Sequence, residues 1–181
     1  MRRSADDAIL ALRQQVRAWA EGSATPDVRV LVYPPEREGE MLARLPGVAV
    51  ELAAAWMPVD LVDLGQVLLH ELRRSEARLT RLRELEREST YRLLHDLGVL
   101  GTRAVTRLLQ PPLPDGVVCR LAVNTGALAA FVSYAAITND LHGSVERPTV
   151  ATVLAFPGEA DERSLNLLGL RVDTNYRVAR I

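Results

Sequence analysis

Apolar positions recur along this chain in two rhythms that alternate. Ile9, Leu12, Val16 and Trp19 fall three to four residues apart within 4–22, the spacing of an amphipathic helix. Ser4 offers a cap, Asp6 and Asp7 occupy the first turn, and Gly22 supplies a stop. DVRVLVYPPE (27–36) turns apolar nearly throughout and predicts a strand broken by Pro34-Pro35. EREGEMLARL (36–45) returns to helix. Pro46-Gly47 then offers a division, after which VAVELAAAW (48–56) reads as a second helical piece or as a strand. VDLVDL (59–64) predicts another strand, with Asp63 and Gln66 spaced as a capping box for the next helix.

From Gly65 to about Gln110 the pattern is helical, with Leu68, Leu72, Leu79, Leu82 and Leu85 on one face. SEARLTRLRELEREST (75–90) carries mixed charges three and four apart, the signature of a solvated face laced with ion pairs. Gly98 and Gly101 suggest a break. QPPLPDG (110–116) is the strongest loop signal, and VVCRLAVNTG (117–126) is a third strand ending in a turn. ALAAFVSYAAITNDLHG (127–143) predicts an apolar helix stopped by Gly143, and TVATVLAF (149–156) a fourth strand. SLNLLGL and YRVARI are short extended segments around a turn at Asp173-Thr174-Asn175.

Strands apolar on both faces and alternating with helices predict one α/β domain over residues 1–181. Its sheet is mainly parallel with helices on both faces, and one long charged helix spans 64–97. In such a sheet the turns YPPE, VNTG and FPGE gather at the carboxyl edge, where open α/β sheets take their ligands.

Composition narrows the choices. At 181 residues the chain buries roughly 70% of its unfolded surface and needs no staples. Its net charge of −1 gives no broad basic field, so strong direct nucleic-acid binding is not expected. One cysteine excludes an internal disulfide. The start reads MRRSADD rather than as a signal peptide, and no apolar run approaches a membrane span. A cytoplasmic protein with no membrane contact is therefore expected. All 22 basic residues are arginine, so neither a P-loop lysine nor a Schiff-base lysine is possible.

The chemistry-bearing residues are scattered. His70, His95 and His142 have no metal-ligand spacing, and Cys119 lies mid-strand as an inert thiol. Asp60 and Asp63 could form an acidic pair, but a strand spacing of three sends them to opposite faces, and a cap role for Asp63 is simpler. NTGAL offers a weak anion signal at a helix start. YPPERE places Glu36, Arg37 and Glu38 either at the binding edge or in a proline-initiated helical turn.

Two stretches carry a resemblance. RVLVYPPEREGEMLARL (29–45) leading to VDLVDLGQVLLHEL (59–72) resembles the start of the BrxB family of BREX phage-exclusion systems. VLAFPGEADERSLNLLGLRVDTNYRVARI (153–181) resembles its C-terminal signature, through Phe156, Pro157, Gly158, Leu165, Leu167, Gly169, Asp173, Asn175, Tyr176 and Arg177. The run Tyr176-Arg177-Val178-Ala179, where the family often has a second tyrosine and then Ala-Phe, departs from that pattern, as does Leu168. The resemblance implies a non-enzymatic assembly role without a cofactor, with a PglZ-type phosphatase-like protein as leading partner and other BREX components beside it. The candidate partner-binding residues are then Tyr33, Glu36, Arg37, Phe156, Glu159, Tyr176 and Arg177. The alternative is a nucleotide- or anion-binding regulatory domain related to degenerate P-loop proteins. A nucleic-acid-binding accessory protein is disfavoured by the charge and by few aromatics.

Overall fold

The computed structural model describes residues 4–109, 118–129, 132–143, 150–160, 164–167, 170–174 and 179–181. Its frame is a five-stranded, all-parallel sheet. The strands are β1 (Val28–Tyr33), β2 (Val59–Asp63), β3 (Val118–Val123), β4 (Val150–Pro157) and the two-residue β8 (Ala179–Arg180), in the spatial order β2-β3-β4-β1-β8. All eight residues of β4 are buried, because this strand is central and covered on both faces. Between β4 and β8 the chain forms a small antiparallel sheet, β5 (Glu159–Ala160), β6 (Ser164–Leu167) and β7 (Leu170–Thr174).

Strand parity splits the core in two. Leu31, Tyr33, Cys119, Leu121, Val153 and Ala155 pack under α1 (Ala5–Ala20) and α2 (Glu38–Ala55), with Ile9, Leu12, Val16, Met41, Leu45 and Leu52 facing them. Val30, Val32, Ala122, Leu154 and Phe156 face the other way. There they meet residues of α3 (Leu64–Arg73), α5 (Thr90–Leu109) and α6 (Tyr134–Gly143). The connection α2 carries the chain from β1 across the sheet to β2, and later connections return over the opposite face. The α/β reading with a mainly parallel, two-side-covered sheet therefore holds.

Local signals place most helix ends. Ser4 and Asp7 form a reciprocal capping box on α1, and Gly22 follows its end at φ +70°. Asp63 caps α3 by accepting from the Gly65 N–H at 2.9 Å.

Four expectations are corrected. Pro46-Gly47 does not divide α2, which runs unbroken through both. An interior proline costs about 3 kcal/mol, but Pro46 and Gly47 lie on the solvent face. Met41, Leu45, Val48, Ala49 and Leu52 keep their stripe buried across it. The single long helix at 64–97 is instead three: α3, α4 (Glu76–Glu88) and α5. Ser75 ends the first run by capping α4 through the Arg78 N–H, and Ser89 accepts from the Arg92 N–H at the start of α5. Gly98 and Gly101, read as a break, are buried inside α5. Asp173 and Thr174, read as a turn, pair with Leu165 and Ser164 in β7, where the ladder satisfies their backbone groups. The loop expected at 110–116 lies outside the described residues.

Two buried polar features invite tests. Arg120 is 7% exposed on β3, where its guanidinium donates to Asp60 at 3.2 Å and to the Leu108 carbonyl near the end of α5 at 2.5 Å. Asp60 is half-exposed, and Arg120 keeps the Leu108 carbonyl when it is removed. Asp60→Ala is therefore expected to destabilise by about 1–2 kcal/mol, with Arg120→Met in the same background recovering most of the loss. Denaturant midpoints of the two single variants and the double variant measure this. Burial pushes the Cys119 thiol up to about 12. The native protein should leave a thiol reagent such as DTNB unreacted at pH 8, with full labelling only on unfolding. Rapid labelling of the folded state would contradict the packing of β3.

Candidate functional site

Strands β1 and β4 pair in parallel from Val28↔Thr152 to Tyr33↔Pro157, so both leave the sheet at the same level. From β1 the chain departs to the α1/α2 face. From β3 it departs toward α6 on the other. Such a divergence is a topological switch point, the usual ligand crevice of an open α/β sheet. The three turns expected at the carboxyl edge do meet here.

They are stitched together by hydrogen bonds. After β1, a 3-10 turn at Pro35–Arg37 delivers Glu38, whose carboxylate accepts from the Tyr33 hydroxyl. After β3, Asn124 takes the left-handed conformation at φ 58°, which asparagine tolerates better than most residues. Its side-chain amide donates to Asp63 at 3.1 Å. The 3-10 turn Thr125–Leu128 follows, in which the Thr125 hydroxyl donates to the Ala155 carbonyl of β4 at 2.6 Å. The Tyr134 hydroxyl donates to the Thr125 carbonyl, and the Tyr134 ring meets Phe156 edge-on at 5.7 Å between centroids. After β4, the Gly158 N–H donates to the Tyr33 carbonyl at 2.8 Å.

Glycine is required where these turns touch. A Cβ on Gly126 would stand 2.8 Å from Pro157 Cγ. One on Gly158 would stand 2.8 Å from Phe156 Cε1 and 3.1 Å from the Asn166 carbonyl carbon. The Pro-Gly break after β4 is thus the point at which β6 lies directly over the main strand. With β5 touching β1 and β7 touching α6, the antiparallel sheet lies beside the crevice.

The candidate residues separate accordingly. Tyr33 and Phe156 are each 1% exposed, so neither presents a surface to a partner, and both are corrected to core positions. Tyr33 shares the parity of Leu31, and Phe156 that of Leu154, which buries them on opposite faces. Glu36, Arg37 and Glu159 are exposed at the edge, with Arg37 paired to Glu40 at 3.1 Å. Tyr176 and Arg177 lie outside the described residues. Thr125 and Tyr134, not singled out in the sequence, are the polar members of this network. Their signal was faint: a threonine in NTGAL and a tyrosine among alanines.

Electrostatically the edge is acidic. Glu36, Asp63 and Glu159 are exposed, and Glu38 is half-buried. Burial raises the Tyr33 hydroxyl well above its ordinary range, and the Glu38 hydrogen bond and charge push the same way. The phenol therefore stays neutral and serves as a donor. Burial also raises Glu38, while the Tyr33 hydrogen bond pulls it partly back. Among the described residues no three His, Cys, Asp or Glu side chains gather as a metal site, and no helix is long and apolar enough to cross a membrane.

No protein-family model, curated protein or solved structure matches this chain.

The Glu38 shift sets a pH dependence. The folded state holds this proton more tightly than the unfolded chain. The associated stabilisation is fully present below the unfolded value of about 4.5 and is lost as pH rises through the higher folded value. Glu38→Gln keeps an acceptor for Tyr33 without the buried charge. It should raise the urea midpoint relative to wild type at pH 7, with the difference shrinking as pH falls toward 4. A difference of constant size across that range would show that Glu38 does not titrate there.

Proposed function

We propose that this chain is a non-enzymatic adaptor of a BREX-type phage-exclusion system, akin to the BrxB family, and that it docks a PglZ-type phosphatase-like protein. The observation supporting this reading is the second sheet at the carboxyl edge. At the edge where an open α/β sheet takes a small ligand, the chain's own antiparallel sheet lies close by, with β5 against β1 and β7 against α6. That sheet is built from the same C-terminal stretch that carries the resemblance. A segment committed to this edge leaves its outer side as a surface for a protein.

The charge at this edge also bears on the alternative of an anion-binding domain. Glu36, Asp63 and Glu159 face solvent around the turns where a phosphate would have to sit. Their repulsion favours a partner with a basic patch over an anionic small molecule.

Charge reversal tests the docking. Glu159→Arg on β5 and Glu36→Arg after β1 should each weaken binding to a purified PglZ-type protein by roughly tenfold or more, at unchanged melting temperature. Calorimetry with both variants measures this. Wild-type affinity in both folded variants would remove the carboxyl edge as the docking surface.

A further inference from the structure

A second concentration of charge lies away from the carboxyl edge. Helices α3, α4 and α5 line an open groove of about 710 Å³. Five arginines line it: Arg74, Arg78, Arg81, Arg103 and Arg107. Their convergence follows from helical spacing. Arg78 and Arg81 stand at i, i+3 on α4, Arg103 and Arg107 stand at i, i+4 on α5, and Arg74 is the residue that closes α3 just before the Ser75 cap.

The arginines are held in place. Glu71, whose side chain is 13% exposed, lies 3.0 Å from Arg74, 3.6 Å from Arg78 and 3.8 Å from Arg107. Arg78 also donates to the Glu71 carbonyl at 3.3 Å. One carboxylate thus anchors three guanidinium groups and can neutralise only one. Arg81 pairs with Glu84 at 3.3 Å, the other acid lining the groove is Asp96, and Arg103 makes no ion pair among the described residues. The groove therefore holds excess positive charge inside a protein whose net charge is −1. Beneath the arginines Leu82, Leu100 and Ala104 form an apolar floor.

From this arrangement we infer that the α3–α5 groove binds a small molecule carrying two or more adjacent phosphoryl groups, such as a nucleoside polyphosphate. The volume falls in the range of roughly 300–1,000 Å³ typical of small-molecule sites. Guanidinium forks match phosphate oxygens bidentately, and several of them can share one phosphate chain. A cleft lined by one sign of charge with apolar walls focuses its field on an anion inside it. Five of the nine arginines of α3–α5 and their junctions converge on this one groove, a cluster that suits a compact polyanion. The floor offers contact to a base or other ring. This site is separate from the carboxyl edge and does not depend on the adaptor reading.

Calorimetric titration of the full chain with inorganic tripolyphosphate, and separately with ATP, tests the inference. Saturable binding of tripolyphosphate at one site is expected, weakened about tenfold or more by Arg103→Ala and by Arg78→Ala. Arg13→Ala, which removes one charge on α1, should change it less than about twofold. Tighter binding of ATP than of tripolyphosphate would assign the floor to the base, and equal binding would assign recognition to the phosphates alone. Both outcomes support the site. Should Arg78→Ala lower the melting temperature, Arg103→Ala decides, since it removes no internal ion pair among the described residues. No saturable binding of either probe up to millimolar concentration would overturn the inference. So would equal weakening by Arg13→Ala, or equally tight binding of a polyglutamate peptide to the same arginines.

Discussion

The parallel register of β1 against β4 is the constraint on which the rest of this structure depends. Six successive pairs from Val28↔Thr152 to Tyr33↔Pro157 bring two strands that are apolar on both faces to the middle of the sheet. With period-two alternation, a slip of one residue would send Leu31 and Tyr33 to the α5/α6 face and Val30 and Val32 to the α1/α2 face, emptying both cores at once. The same register sets Tyr33 level with Pro157. From that level the Gly158 N–H reaches the Tyr33 carbonyl, β5 touches β1, and the antiparallel sheet comes to rest beside the switch point. Core packing and the arrangement of the carboxyl edge are two consequences of one pairing.

Polar groups at the edge are buried only because each is answered. The Thr125 hydroxyl has the Ala155 carbonyl, the Tyr134 hydroxyl has the Thr125 carbonyl, and the Tyr33 hydroxyl has Glu38. Unanswered, each would cost about 1–3 kcal/mol. The exception in kind is Glu38, which brings a carboxylate into a half-buried position and raises its proton affinity. Tyr33 offsets part of that cost by donating to it, and the buried Arg120 of β3 is likewise answered, by Asp60 and by the Leu108 carbonyl.

What the sequence made legible follows from how many signals agreed. The strands β1, β3 and β4 were readable because apolar runs of six to eight residues ended at Pro-Pro, Asn-Thr-Gly and Pro-Gly. Helix α1 was readable because its stripe, cap and stop coincided. Pro46-Gly47 misled because a strong local breaker competed with a buried stripe that extends past it, and five buried side chains outweigh one lost hydrogen bond. The breaks at Ser75 and Ser89 were hidden because serine is neutral on a helix surface, and the charge pattern runs straight through it. Gly98 and Gly101 misled in the opposite sense, as both are buried in the middle of α5. Tyr33 and Phe156 were read as surface residues from their nearness to turns. Counting parity from Leu31 and Leu154 would have placed both inside. The arginine groove left only spacing in the sequence, and spacing on α4 and α5 says nothing of their meeting until both helices are packed.

The acidic edge and the Glu71 end of the groove lie toward opposite ends of the sheet, and this follows from connectivity. Helix α3 begins where β2 ends, at the carboxyl edge, and its ten residues run back about 15 Å along the sheet. Glu71 and Arg74 therefore fall toward the amino edge. The end of α5 lies there too, since its Leu108 carbonyl meets Arg120 near the start of β3. The acidic surface around Glu36, Asp63 and Glu159 thus lies at the carboxyl edge, while the Glu71 end of the basic groove lies toward the amino edge. A near-neutral net charge conceals this, because the two regions cancel in the sum. A partner reading the acidic edge and a polyanion reading the groove would not compete for space, nor would the charge of one screen the other strongly across more than a Debye length of about 8 Å at physiological salt. Any coupling between them would have to pass through the packing of α3 and α5 on β2 and β3, the part of the core where Leu64, Val105 and Leu109 are buried together.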